Sequence, residues 1–253
     1  MPNDRLRGAL DVAGLSYARL AERVGVDPKT AERWVSKART PHPAHRVKVA
    51  DTLGVEVTYL WPALADDPRT TSASRAELVE FYPCRSAVPR ALWATFADTA
   101  TETFDLLAYA ALPLFEDGLV DHLVRRAHDG VRVRILLGDP DGHAIALRGH
   151  EEQQGGNVAA RTSLSLGYVR DIRAPGFEAR MHDTTLYTSI YRADNELLAN
   201  IHVYGSVAGQ SPVLHIRRLP GGRVFDQYMT AFDKIWAHAT PVAADHTYGQ
   251  APR

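Results

Sequence analysis

Residues 16–37 read Ser16-Tyr-Ala-Arg-Leu-Ala-Glu-Arg-Val-Gly-Val-Asp-Pro-Lys-Thr-Ala-Glu-Arg-Trp-Val-Ser-Lys37. Ser16 is a good N-cap, and Leu20, Ala21 and Val24 share one face at helical spacing. Gly25 stops that helix, as glycine does after a last turn. Asp27 caps a second helix whose first position is Pro28, where a missing N–H costs nothing. Ala31, Trp34, Val35 and Ala38 then follow the i, i+3, i+4, i+7 pattern. Two short amphipathic helices joined by a tight turn are the outcome.

The flanks extend the pattern. Asp4 caps a helix with Leu6, Ala9, Leu10 and Val12 inward. A fourth helix starts near Pro43, buries Val47, Ala50 and Leu53, and stops at Gly54. A short fifth carries Val57, Leu60, Trp61 and Leu64. Residues 1–65 therefore read as an all-α helix-turn-helix domain.

Charge divides along the same line. Residues 1–64 hold ten Lys/Arg against seven Asp/Glu, and the remainder holds nineteen against twenty-three. A basic head on an acidic body suits a polyanionic partner. No apolar run approaches the roughly 18 residues that span a bilayer. The start, Met1-Pro2-Asn3-Asp4-Arg5, lacks a basic segment followed by an apolar one, so no signal peptide and no membrane association are expected. One cysteine, Cys84, allows no internal disulfide and no cysteine-based metal site. A cytoplasmic location and no cofactor are expected.

With Ala31, Trp34 and Val35 inward, Lys29, Glu32, Arg33, Ser36 and Lys37 face out. Lys29 and Arg33 can donate to guanine O6 and N7, and Thr30 can meet a thymine methyl. Backbone amides at Ser16 and Tyr17 suit a phosphate, and Arg39 and Arg46 suit the DNA backbone. Taken alone, these charges also describe the solvated face of a small helical bundle. The whole stretch from Leu15 to Trp61, with Arg39-Thr-Pro41 and Val49-Ala-Asp-Thr-Leu-Gly-Val55, resembles the Xre/Cro helix-turn-helix family of phage and bacterial repressors. That resemblance implies base readout from Lys29, Thr30 and Arg33. Pro28 departs from the polar residue that many members carry there.

Residues 66–76 are polar and turn-rich and read as a linker. Beyond them lies an α/β domain over residues 77–242, then a tail from 243 expected to be disordered. Residues 104–110 and 131–137 read as strands around an amphipathic helix over 115–128, which makes a parallel pair. Residues 142–172 read as mostly helical. Strand-like runs follow at 185–191, 197–204 and 213–217, and a closing helix covers 225–238. The opening strand-helix-strand, and Arg180-Met-His182 through Tyr191 with Asp194, resemble the two ends of the phospholipase D-like superfamily, a mixed-sheet fold. They also resemble C-terminal domains attached to Xre-type regulators in actinobacteria.

The superfamily's signature, His-x-Lys-x4-Asp, implies a histidine nucleophile and a phosphate-binding lysine. Set on His182, its lysine falls on Thr184 and its aspartate on Ser189. Set on His215, they fall on Arg217 and Gly222. No histidine of the chain has lysine two residues on. Losing one such electrostatic donor costs about two to three orders of magnitude in rate, so no enzyme is expected. Arg180, His182, Tyr187 and Tyr191 remain as a candidate site for a small anionic ligand. The expected protein is a transcriptional regulator that binds an inverted-repeat operator in double-stranded DNA as a homodimer, and whose body dimerises, senses a ligand, or both. The rival is a DNA-targeted phosphodiesterase or nuclease.

Overall fold

Asn3, one residue before the expected cap, starts the first helix: its Oδ1 accepts the Leu6 N–H at 3.0 Å and its Nδ2 donates to the Leu60 carbonyl at 2.9 Å. A computed structural model describes residues 2–64 and 68–243. The chain divides into two compact units, residues 1–72 and 73–253.

The described part of the first unit is helical: α1 (Asp4–Val12), α2 (Tyr17–Val24), α3 (Pro28–Ser36), α4 (Pro43–Leu53) and α5 (Val57–Leu60), then a 3-10 turn over Pro62–Leu64. Ser16 Oγ accepts the Arg19 N–H, Gly25 ends α2 at φ 80°, and Asp27 accepts the Lys29 N–H with Pro28 in the first position. Leu6, Leu10, Leu20, Val24, Ala31, Trp34, Val35, Val49 and Leu60 form one buried core. Three expectations fail in detail. Ala38 is exposed and lies past α3 at φ 47°, so the inward stripe ends at Val35. Val12 is 92% exposed at the C-terminal end of α1. Val47 is 53% exposed because Val49 takes the inward face, and residues two apart on a helix point to opposite sides.

Where the composition suggests a loose linker, residues 68–76 form α6 (Pro68–Ala76), across the boundary between the units. Its C-terminal end is held within the second unit. Ser74 Oγ accepts the Arg223 N–H, and buried Glu77 accepts the N–H groups of Val224 and Phe225. Residues 66 and 67 lie outside the described residues, as does the expected disordered tail past Ala243.

The second unit is built on one sheet. Its strands are β1 (Leu78–Tyr82), β2 (Thr103–Ala108), β3 (Arg132–Gly138), β4 (Phe177–His182), β5 (Thr188–Ala193), β6 (Glu196–Ile201), β7 (Val213–Arg217) and β8 (Thr240–Pro241). They run in the order β1-β7-β6-β5-β2-β3-β4-β8. β2, β3 and β4 are parallel, and all other pairings are antiparallel. One face, carrying Leu106, Ile135, Tyr191 and Leu198, packs under α7 (Arg90–Phe96), α8 (Leu112–Glu116) and α9 (Leu119–His128). The other, carrying Leu107, Leu136, Ile190 and Leu197, packs under α10 (His143–Glu151) and α12 (Val224–His238). α11 (Asn157–Val169) gives Val158 to one core and Leu166 to the other. The single helix expected over 115–128 is two helices, parted at Gly118, whose φ of 88° no helix can contain.

At the centre of the sheet, Asp105 has no solvent exposure. Its carboxylate takes Arg134 Nε at 2.7 Å and Nη2 at 3.0 Å, and Arg192 Nη1 at 2.7 Å. Asp233 of α12 takes Arg134 Nη1 at 2.8 Å, and the Arg134 guanidinium lies 4.6 Å from the Phe232 ring. Burial opposes the charge on Arg134, and bonding to Asp105 and Asp233 more than offsets it, holding its pKa above the ordinary arginine value. Asp105→Asn keeps the shape and strands two arginines against an amide. Removing one partner of a buried ion pair costs about 3–5 kcal/mol. Urea denaturation should show a loss of that order, and a loss below about 1 kcal/mol would mean that solvent reaches the cluster.

Candidate functional site

The outer surface of α3 is the first candidate. Lys29, Arg33, Lys37 and Arg39 are exposed, and their side chains make no ion pair among the described residues. Thr30 is half-buried between them. Ser16 and Tyr17 are exposed at the start of α2, with the Ser16 hydroxyl already engaged as a cap. Ser16, Tyr17 and Lys29 lie on the helices either side of the turn at 25–27, and Lys29, Arg33 and Lys37 follow at four-residue spacing along α3, whose back is anchored by Ala31, Trp34 and Val35. Arg46 differs from the others: it is half-buried, and its Nε donates to the Pro41 carbonyl at 2.8 Å. That bond closes the loop before α4.

The four residues singled out for a ligand do not converge. β5 is separated from β4 by β2 and β3, three strand spacings or roughly 14 Å. Arg180 ends against α12, with Nε on Glu178 at 2.7 Å, Nη1 on the Trp236 carbonyl at 3.0 Å, and its guanidinium 4.4 Å from the Trp236 ring. Tyr187 precedes β5 and is 80% exposed, whereas Tyr191 is 2% exposed and packs edge-on to Trp93 at 5.0 Å. β4 ends at His182 and β5 begins at Thr188, so Arg180 and His182 lie on a different strand from Tyr191.

His182 instead joins residues that the sequence did not single out. At the carboxyl end of β4 it lies 6.0 Å from the Tyr109 ring, and His202 stacks on that ring at 5.6 Å. Tyr109 Oη accepts the Leu186 N–H at 2.7 Å. His202 Nε2 lies 2.9 Å from Ser189 Oγ, and its Nδ1 lies 3.1 Å from the Leu186 carbonyl. The carbonyl can only accept, so Nδ1 carries the proton and Nε2 takes the Ser189 hydroxyl. His182 has the opposite tautomer, because Nδ1 accepts the Thr184 N–H at 3.2 Å. The signal for this cluster lay in the hairpin. A two-residue turn at Asp194-Asn195 pairs Ala193 with Glu196 and, counted back, Ser189 with Asn200, which brings His202 beside Ser189.

A base-ready histidine on a serine hydroxyl resembles an activated nucleophile. Space argues against that use. The adjoining cavity is about 40 Å³, room for water rather than substrate. Arg148 on its wall is committed to Glu152 at 2.7 Å and to the Ser206 carbonyl at 2.7 Å. The cluster ties the segment after β2 to the ends of β4, β5 and β6.

Burial pushes both histidines down to about 4; for His202 the charge of Arg148 adds to it. The unfolded chain takes up these protons near pH 6.5. Stability from the two residues is therefore full above about pH 6.5 and is lost as pH falls toward 4. Each adds a slope approaching about 1.4 kcal/mol per pH unit in that window. His202→Gln should flatten the wild-type fall in unfolding free energy between pH 7 and 4, and an unchanged slope would mean that His202 is charged in the fold.

No model of a known protein family matches the chain, and no curated protein does. Solved structures overlap with it in part. A phospholipase D family member, Nuc, from Salmonella typhimurium is 14% identical with a TM-score of 0.42, covering 64% of this chain and 95% of that one. TrmBL2, an archaeal chromatin protein with a novel mode of DNA binding, is 16% identical with a TM-score of 0.40, covering 79% and 72%. Phosphatidylserine synthase of Haemophilus influenzae is 12% identical with a TM-score of 0.40, covering 73% and 44%. At these scores nothing about function passes from those proteins to this chain, and the α/β character of the second unit stands on its own sheet.

Proposed function

We propose that this chain is a sequence-specific DNA-binding transcriptional regulator of the Xre/Cro type, with α3 as its recognition helix and a phospholipase D-like body that no longer turns over a substrate. The observation that carries the reading is the division of α3, whose apolar face is buried while Lys29 and Arg33 stand free on the other. The same cations would serve as the solvated face of a bundle, and it is their place beside the turn and the capped N-terminus of α3 that supports a groove-facing role. Inserted into a major groove, Lys29 and Arg33 reach base edges and Thr30 meets a methyl group. Lys37, Arg39 and the amides at Ser16 and Tyr17 contact phosphates. One head reads too few base pairs to address a genome, so the working form is a two-fold dimer on an inverted repeat.

The non-enzymatic body is supported by His182. The position of a catalytic lysine is Thr184, whose own amide occupies the histidine's Nδ1. A chromogenic phosphodiester incubated with the full chain should release no product above buffer, whereas release abolished by His182→Ala would favour the nuclease reading.

On DNA, selection from random duplexes should return an inverted repeat with half-site centres about 34 Å apart or a multiple of that. Arg33→Ala should lose about 1–3 kcal/mol on that site and relax preference at one position per half-site. Lys37→Ala should weaken binding to all sequences and reduce the salt slope by about one. Retention of both affinity and base preference in Arg33→Ala would exclude α3 from the groove.

A further inference from the structure

On the sheet face opposite Tyr109, a cleft of about 520 Å³ opens between α7 and the α8–α9 pair. Trp93 lines one wall, with Phe96 packed behind it, and Leu114 and Leu119 line the other; Phe104 of β2 and Tyr191 of β5, 1% and 2% exposed, lie beneath as a floor that is almost wholly covered. The rings are held edge to face, Trp93 on Tyr191 at 5.0 Å and Phe96 on Phe104 at 6.4 Å, so the walls are braced against collapse. Protein interiors otherwise pack to crystal density, and apolar lining without partner atoms forfeits dispersion energy. A space of this volume with mostly apolar walls matches a site for a drug-sized molecule.

The rim decides its chemistry. Arg90 and Asp117 stand at the mouth with no ion pair to the described residues, and His122 Nδ1 meets Asp98 Oδ1 at 2.9 Å, tying the α9 wall to the turn after α7. One arginine and a histidine face two carboxylates, so the mouth offers no net attraction for an anion. With Asp98 engaged by His122, Arg90 and Asp117 leave the mouth balanced, so it offers a cation no net attraction either. We infer that this cleft binds an uncharged, ring-bearing apolar small molecule, and not the anion that residues 180–191 suggest. The inference goes beyond the DNA-binding reading, and no DNA enters its test.

The probe is N-phenyl-1-naphthylamine, an uncharged fluorophore, titrated into the full chain while its emission is followed. Its sulfonated analogue, 1-anilinonaphthalene-8-sulfonate, has the same ring skeleton with a negative charge. Saturable binding of one uncharged probe per chain is expected, at least tenfold tighter than the sulfonate. Leu114→Trp fills the cleft from its wall and should weaken binding at least tenfold. Thr95→Trp adds bulk from an exposed lining position without touching the core, and covers the case in which Leu114→Trp does not fold. Leu164→Ala, at an exposed leucine of α11, should bind as wild type. Unsaturable binding, equal affinity for the two probes, wild-type affinity in the folded filled variants, or loss in Leu164→Ala would each overturn the assignment.

Discussion

Asp105 has no solvent exposure, and a buried carboxylate is tolerable there only while the two guanidinium groups stay in contact with it. That condition constrains the whole sheet. Asp105 sits opposite Arg134 in the parallel pairing of β2 with β3, and opposite Arg192 in the antiparallel pairing with β5. A slip of one residue in either pairing would turn a charge toward the other face. The cluster lies where the sheet changes from parallel to antiparallel, so it sets both registers at the seam. Through Phe232, Asp233 and Trp236 it also seats α12.

With the registers set, each sheet face receives a different task. The face under α12 ends in the Tyr109, His182 and His202 cluster, where the tyrosine, Ser189 and both histidines are already hydrogen-bonded. The face under α7 to α9 ends in a ring-lined cleft whose side chains have little to hold but one another. Tyr191 and Ile190 are neighbours in β5, yet alternation assigns one to each side. A residue's place in a sheet, rather than its nearness in sequence, decides which partners it can meet. Arg180, His182, Tyr187 and Tyr191 illustrate the point.

Much of the first unit was legible because its signals are local. Ser16, Gly25, Asp27 and Pro28 do in the structure what their cap and stop chemistry requires, within a few residues of where it is read. Gly130 and the apolar run after it likewise announced β3. What escaped was long-range. β1 was missed because Leu78, Val79 and Phe81 lie on an edge strand, exposed at 47%, 44% and 51%, and give no buried alternation. α6 was missed because its composition is poor in helix formers, and the contacts at its end come from residues some 150 positions later, Arg223 and Val224. The lining of the cleft unites α7, β2, α8, α9 and β5, and no spacing rule links those segments.

The Glu77 cap ties the first residues of the body to its last long helix, and β1 pairs with β7, so the two ends of this unit are stitched together. On a ribosome this imposes an order. The head is closed by contacts within its first 61 residues, Asn3 to Leu60 among them, and can fold once these have emerged. The body must wait with its edge strand unpaired and α6 unanchored until residues beyond 224 have left the exit tunnel. For that interval an apolar strand next to a finished head is open to any chain that passes. The stretch of synthesis between β1 and α12 is when this protein is most exposed to misassembly, and when a chaperone has most to offer it.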